Sequence, residues 1–258
     1  MGLIEKIKNF SKKRKQKAFN KNCQIIKNPK AIKEDRVGAI ESLASFEDKA
    51  AATKALLARF NFSLEHGIQD SREKEKIMDS ILSFKENAIS PTLDYLKQGK
   101  SIAWPVKILS SLISKKELTD ALESSLIFGD IDFSQENVNK NYDILCHPRN
   151  HALADKGKKL FAFLKVHDER LRVAAVEAIL TQGDESNYEE LEELLLDNSS
   201  ENIRLKQAVA QKFIDLGRRL KKTHLFKTGF LHPDLIINKD YSEAINNLLF
   251  IIEKNKEW

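Results

Sequence analysis

The part of the sequence most similar to a metal-binding motif contains Cys146, His147 and His151. They lie in the stretch CHPRNH, and two histidines four residues apart can share one helix face and bind zinc. Pro148 stands between them and interrupts the helix that this spacing requires. The sequence offers no second Cys/His pair for the remaining ligands. We therefore expect structural or surface roles for these side chains, and we predict no metal or other cofactor.

Motifs of known catalytic chemistry are also missing from the sequence. It contains no G-x-S-x-G elbow, no P-loop and no dinucleotide-binding glycine pattern. The carboxylates of YEELEELLLD surround a leucine stripe, which is typical of a solvated helix face rather than an acid–base pair. We therefore predict a non-enzymatic protein with no small-molecule substrate.

The composition favours helices over turn-rich β structure. Charged residues make up 31% of the 258 residues, with only nine glycines and five prolines. Two cysteines are too few for a disulfide framework, and we expect no secretory leader. Apolar runs such as NLLFII fall far below the ~20 residues of a membrane-spanning helix. We expect an all-α protein of the cytoplasm.

The positive charge is concentrated at the N-terminus. Residues 1–36 contain twelve Lys/Arg against three Asp/Glu, whereas residues 37–217 contain 23 against 30. Residues 218–258 contain eight against five. Only clustered positive charge attracts phosphate or anionic lipid effectively. The sequence therefore predicts a basic N-terminal arm attached to an acidic body.

A helical pattern recurs along the chain. The template RVAAVEAI, numbered from Arg172, places small or apolar residues three, four, six and seven positions after the arginine. Copies start at residues 36, 74, 105, 138, 172, 204 and 241. A second helical pattern accompanies each copy, so one unit is a helical hairpin. Such hairpins bury their apolar stripes by stacking, which predicts an α-solenoid of stacked antiparallel helix pairs.

Two of these units resemble the HEAT repeat, in which an Asp-bearing turn precedes a hydrophobe, an arginine and a small-residue pair. The matching residues are Asp168, Leu171 and Arg172, followed by Asp197, Ile203 and Arg204. Other units depart from the pattern, with Lys74, Pro105 and Val138 in place of the arginine. The steps are also shorter than the ~40–47 residues usual for HEAT. The resemblance is closest to short bacterial HEAT-like arrays.

The resemblance implies an organisation and a function. Residues 34–217 would form HEAT-like repeats in a superhelix, between a basic arm at 1–33 and a C-terminal basic segment with a capping helix at 218–258. Such arrays bind partners along their concave face. We therefore predict a monomeric scaffold that binds another protein. The candidate partner-binding residues are Arg172, Arg204, Trp104 and Tyr95. The two arginines have a structural alternative, pairing with turn aspartates between units.

The N-terminal arm has two interpretations. Its spacing puts Leu3, Ile7 and Phe10 on one side of a basic helix. The arm either caps the first hairpin with these residues or, through residues 1–30, binds nucleic acid or the anionic inner surface of the membrane. The candidate anion-binding residues are Lys12, Lys13, Arg14, Lys15 and Lys17, with Arg218, Arg219, Lys221 and Lys222 near the other end.

One enzymatic alternative follows from the resemblance, because a family of alkylpurine DNA glycosylases also has a HEAT-like fold. Their chemistry implies an aromatic side chain facing the modified base, a nearby carboxylate and a basic concave surface. The chain has Trp104 and Trp258, but the residue one helical turn after Trp104 is Ile108. The acidic body would also repel DNA. We therefore rank this alternative second.

Overall fold

The computed structural model describes residues 3–99, 101–129, 134–147, 157–181, 185–196 and 203–215. All regular secondary structure in these ranges is helical, which confirms the all-α class. The helices found there are too short or too polar to span a membrane.

The helices that contain the repeat template alternate along the chain with helices that do not. The helices within the described ranges are α1 Leu3–Lys27, α2 Lys33–Ala44, α3 Lys49–Leu57, α4 Gly67–Ser83, α5 Ile89–Gln98, α6 Ala103–Leu112, α7 Lys115–Ser124, α8 Gln135–Cys146, α9 Gly157–Leu160, α10 Glu169–Thr181, α11 Glu185–Leu196 and α12 Ile203–Asp215. Short 3-10 turns follow α3 and α9 and precede α5. The template starts at 36, 74, 105, 138, 172 and 204 fall in α2, α4, α6, α8, α10 and α12, and the start at 241 lies outside the described residues.

The chain divides into two compact units, residues 1–126 and 127–258. In the first unit, α4 contacts both α2 and α6, and α5 contacts both α3 and α7, so alternate helices form two rows. In the second unit, α10 contacts both α8 and α12. Contact between alternate helices is what stacked hairpins require. The superhelical arrangement remains a prediction.

Side-chain caps at the N-termini explain where several helices begin. The Asp48 carboxylate accepts a hydrogen bond from the Ala51 amide of α3, and Ser114 and Glu117 form a reciprocal capping box on α7. The turn residue Asp168 caps α10 by accepting a hydrogen bond from the Leu171 amide at 3.0 Å. Each cap satisfies a backbone donor that lacks an intrahelical partner.

The core of the first unit follows the template with one correction. Ala39, Ile40 and Leu43, at the third, fourth and seventh positions of the first copy, are buried. The sixth position was expected in the same stripe, but Ser42 and its counterpart Ser111 are exposed. At ~100° per residue, the third, fourth and seventh positions cluster on one side of the helix, whereas the sixth lies at its margin. The template start itself lies at the centre of the buried face.

The second unit has its own core and a polar clamp. Leu171, Val176 and Ile179 of α10 are buried. The Asn141 side chain, fully buried on α8, donates to the Ile127 carbonyl at 2.8 Å and accepts from the Ile127 amide at 2.9 Å. The Asn141 side-chain amide therefore satisfies both the backbone N–H and the backbone carbonyl of Ile127, which lies outside a helix.

Candidate protein-binding cleft

Five charged side chains form a buried network between α2, α4 and the 3-10 turn that follows α3. Arg36 and Lys74 occupy template starts, which face the core in the first unit, and both are buried. Arg59 has no exposed surface, and Asp70 and Glu73 are also buried. Buried charges require partners, because desolvation strongly disfavours an unpaired ion. The network supplies those partners.

Glu73 is the centre of the network. Its carboxylate accepts hydrogen bonds from Arg36 Nη2 at 2.9 Å and from Arg36 Nε at 3.0 Å. Arg59 Nε donates to the same carboxylate at 3.2 Å, and Gln69 Nε2 does so at 3.2 Å. The Arg36 guanidinium also donates to the Ala31 carbonyl. Two guanidinium groups from different helical segments are thus held by one carboxylate of α4.

Asp70, one turn earlier on α4, binds the other side of Arg59. It accepts from Arg59 Nη2 at 2.7 Å and from the Leu64 amide at 3.0 Å, and it pairs with Lys74 Nζ at 2.6 Å. Arg59 Nη1 donates to the Phe62 carbonyl at 3.0 Å. The connection between the first two hairpins is therefore fixed onto α4 by charge-assisted hydrogen bonds.

The network keeps both carboxylates ionised. Burial acts to raise the pKa of Glu73, but the hydrogen bonds from Arg36 and Gln69 outweigh it and leave the pKa below its usual value. Burial likewise opposes ionisation of Asp70, and hydrogen bonds from Lys74 and Arg59 lower its pKa overall.

A cleft of about 540 Å³ lies beside this network, between the N-terminal parts of α2 and α4. Glu73 belongs to both, so the network forms part of the cleft wall. The residues that give the cleft its character are Lys33, Val37, Ile40, Ile68, Arg72 and Lys76.

The cleft combines apolar surface with a cationic rim. Partly buried Val37 provides apolar lining, whereas Ile40 borders the cleft but has no exposed surface. Ile68 is 75% exposed, which makes it an unusually accessible large aliphatic side chain. Lys33 and Arg72 are exposed cations on the rim, and Glu65 is an exposed carboxylate that also lines the cleft. Lys76, also on the rim, pairs with Glu41 at 2.6 Å. Apolar surface bordered by cations suits a segment that presents both aliphatic and acidic side chains.

Tyr95 and Trp104, predicted to bind a partner, are partly buried and pack against the core of the first unit. The Trp104 ring stacks on Phe60 with centroids 5.3 Å apart. The Tyr95 hydroxyl donates to Asn61 Oδ1 at 2.8 Å, and burial raises its pKa to about 12. Tyr95 also lines a separate cleft of about 600 Å³ beside α3 and α5.

Arg172 and Arg204, the other predicted partner-binding residues, differ in their surroundings. Arg172 lines a cleft of about 930 Å³ in the second unit. Arg204 pairs with Glu169 at 3.0 Å, and its side chain is 73% exposed. This pair joins α12 to α10, as the structural alternative expects, but with a glutamate. The turn residue Asp168 pairs with Arg170 at 2.8 Å.

The predicted anion-binding residues of the arm lie on α1. All five are exposed, and Lys15 pairs with Glu47. They are Lys12, Lys13, Arg14, Lys15 and Lys17. Phe10 is 72% exposed, so it does not cap the first hairpin. The second cluster, Arg218, Arg219, Lys221 and Lys222, lies outside the described residues.

The CHPRNH stretch divides at the end of α8. Cys146 ends the helix and His147 follows in extended conformation, as expected before Pro148, while His151 lies outside the described residues. Within the described part of the chain, no group of three or more His, Cys, Asp and Glu side chains could hold a metal ion.

Sequence reasoning missed the buried network, although its signal was present. The first template starts with Arg36, and Glu73 immediately precedes the start of the next copy. Asp70 and Lys74 are four residues apart, which places them on one helix face. Charges at positions that face a core predict mutual pairing.

Neither a protein-family model, nor a curated protein sequence, nor a solved structure matches this chain.

Proposed function

We propose that this chain is a non-enzymatic HEAT-like repeat protein that binds another protein through the cleft between α2 and α4. The observation that carries the proposal is the exposed Ile68 side chain beside a cleft with apolar lining and the rim cations Lys33, Arg72 and Lys76. The partner segment would insert aliphatic side chains and present carboxylates to the rim.

The energetics favour this type of partner. Burying one exposed aliphatic side chain contributes about 1.5–3 kcal/mol. Charges at the rim contribute mainly to association rate and selectivity, because solvent screens them. The walls are also held in place before binding, since Glu73 ties Arg36 of α2 to α4. Preorganised walls reduce the ordering cost of association.

The alternation of the helices supports the HEAT-like part of the proposal. The six template copies within the described residues all lie on even-numbered helices, and alternate helices contact each other within each unit. Continuation of these rows along the chain would give the solenoid that the repeat spacing predicts.

Affinity capture with matched variants tests the proposed function. The full chain and two cleft variants, Ile68→Asp and the triple change Lys33→Glu, Arg72→Glu and Lys76→Glu, are used as baits. Ile68 lies in the first turn of α4, where an acidic residue is favoured, so the fold should be retained. We expect the same specific proteins to be lost from both cleft variants.

The control bait carries Lys30→Glu, Lys115→Glu and Lys116→Glu, which alter exposed lysines outside the cleft. It should retain those proteins. Equal recovery by the wild-type chain and both cleft variants would contradict the proposal. Loss from the control bait together with the cleft variants would show non-specific charge binding and would also contradict it.

A further inference from the structure

The helix α1 has a packed half and an exposed half. Phe19, Cys23 and Ile26 pack against the core of the first unit, and Asn22 Nδ2 donates to Ser42 Oγ at 2.7 Å. All residues from 9 to 18 are nevertheless exposed, although they are helical. Helices in proteins gain most of their stability from packing one face. The exposed half is thus available to another surface.

Contacts define which side of α1 faces the body. Lys15 pairs with Glu47, and Phe19 stacks on Phe46 with centroids 4.3 Å apart. Lys15, Phe19, Asn22 and Ile26 follow the i, i+4, i+7, i+11 spacing of one helix face. This set is the body side of α1.

A different set of residues shares the opposite side. The spacing i, i+3, i+4, i+7, i+11 from Phe10 selects Lys13, Arg14, Lys17 and Lys21. All five residues are exposed. The outward side of α1 therefore combines an aromatic ring with four cations, and we call it the outward face.

We propose that the outward face docks on an anionic lipid membrane surface, with Phe10 inserted at the boundary between headgroups and acyl chains. The cations would then lie at the level of the lipid phosphates. Helices with apolar and basic residues bind in this orientation, by apolar burial together with attraction to anionic lipid. This site is independent of the proposed protein-binding cleft.

Phe10 favours a membrane over nucleic acid as the occupant. A phosphate backbone provides partners for the cations, but it offers no apolar volume for a ring that is 72% exposed. Leu3 and Ile7 precede Phe10 at the spacing of one helix face, so the sequence pattern extends the apolar stripe. A membrane surface provides both phosphates for the cations and apolar volume for the aromatic ring.

Vesicle co-sedimentation of the full chain tests the proposal. The probes are vesicles of phosphatidylglycerol mixed with phosphatidylcholine, and vesicles of phosphatidylcholine alone. We expect binding to the anionic vesicles, weakened by salt. Combining Lys13→Gln, Arg14→Gln and Lys17→Gln should lower the partition coefficient about a hundredfold, from roughly fivefold for each cation. Phe10→Ala should lower it about tenfold.

The body side of the same helix provides the sharpest control. Lys15→Gln should change partitioning much less than Lys17→Gln, because only Lys17 belongs to the outward face. A control with Lys30→Gln, Lys115→Gln and Lys116→Gln should bind like the unmodified chain. Circular dichroism should show unchanged helicity and melting temperature for every variant.

Three results would overturn the proposal. The first is absence of binding to anionic vesicles, and the second is equal binding to both vesicle types. The third is binding of a short DNA duplex, measured by fluorescence anisotropy, that is lost in the triple variant while Phe10→Ala has no effect on vesicle partitioning.

Discussion

Arg36 and Glu73 form a buried bidentate ion pair between α2 and α4, although they are 37 residues apart in the sequence. Arg36 is 3% exposed and Glu73 5% exposed. The pair joins the start of one template copy to the residue just before the start of the next. It therefore fixes the spacing of two successive helices of a row and shapes the wall of the cleft between them.

Glu73→Gln should strongly destabilise the first unit. The change leaves Arg36 and Arg59 buried with only the Asp70 carboxylate nearby, and breaking a buried ion pair costs about 3–5 kcal/mol. Urea denaturation followed by circular dichroism measures the loss. The exposed pair of Lys15 and Glu47 supplies the control, and Glu47→Gln should leave the denaturation midpoint unchanged. A midpoint for Glu73→Gln equal to that of Glu47→Gln would contradict the role of the network.

Acid should destabilise the first unit through Asp70 and Glu73. Burial opposes their ionisation, but hydrogen bonds from the cations keep both pKa values below those of the unfolded chain. Their stabilisation is fully present above the unfolded pKa values of about 3.9–4.3 and is lost as the pH falls through the lower folded values. Free energies of unfolding at a series of pH values should decline from about pH 5 downward. Glu73→Gln should make this decline shallower, and an unchanged slope would argue against the assignment.

Two glycines should respond to alanine with opposite signs. A Cβ at Gly99 would lie 2.7 Å from the Tyr95 carbonyl oxygen and 2.9 Å from its ring, so Gly99→Ala should destabilise by about 1–3 kcal/mol. A Cβ at Gly38, inside α2, would meet no atom within 4 Å, so Gly38→Ala should stabilise by about 0.5–1 kcal/mol. Thermal and urea unfolding of the two variants should move in opposite directions. Equal shifts of both unfolding midpoints in one direction would contradict the packing described at one of these two glycines.

Asn141→Ala should loosen the segment that leads into α8. It removes two hydrogen bonds to Ile127 and leaves backbone groups without those partners, at a cost of about 2–4 kcal/mol. Hydrogen–deuterium exchange should speed up in peptides that contain Ile127. The exposed Asn139→Ala provides the control and should leave their exchange unchanged. Equal protection in both variants would mean that Asn141 does not hold this backbone.

The helices were the most predictable part of the structure. The template spacing located the helices that contain residues 36, 74 and 172, because apolar residues recurring every three or four positions must share a helix face. The sixth template position was wrong for Ser42 and Ser111, since both lie at the margin of that face. The width of the buried stripe on a helix cannot be predicted from residue types alone, because serine is tolerated both on buried and on exposed surfaces.

The candidate site was less predictable, because it depends on which charges meet across helices. The HEAT-like resemblance pointed to Arg172 and Arg204, yet Arg36 and Arg59 are the arginines buried most deeply in the described residues. Arg59 lies outside the template, in the 3-10 turn after α3, so no repeat position marked it. Its pairing with Asp70 and Glu73 depends on how the turn after α3 packs against α4, which the repeat pattern does not specify.

Photo-crosslinking from position 68 tests whether a partner protein binds in the cleft between α2 and α4. A photoreactive phenylalanine analogue replaces Ile68 in the cleft and, in a control, Ser110 on the exposed side of α6. After irradiation in the native cell extract, mass spectrometry identifies the crosslinked peptides. We expect a defined partner peptide with aliphatic and acidic residues to be attached at position 68 and not at position 110. The same unselective pattern from both positions, or no crosslink from position 68, would contradict it.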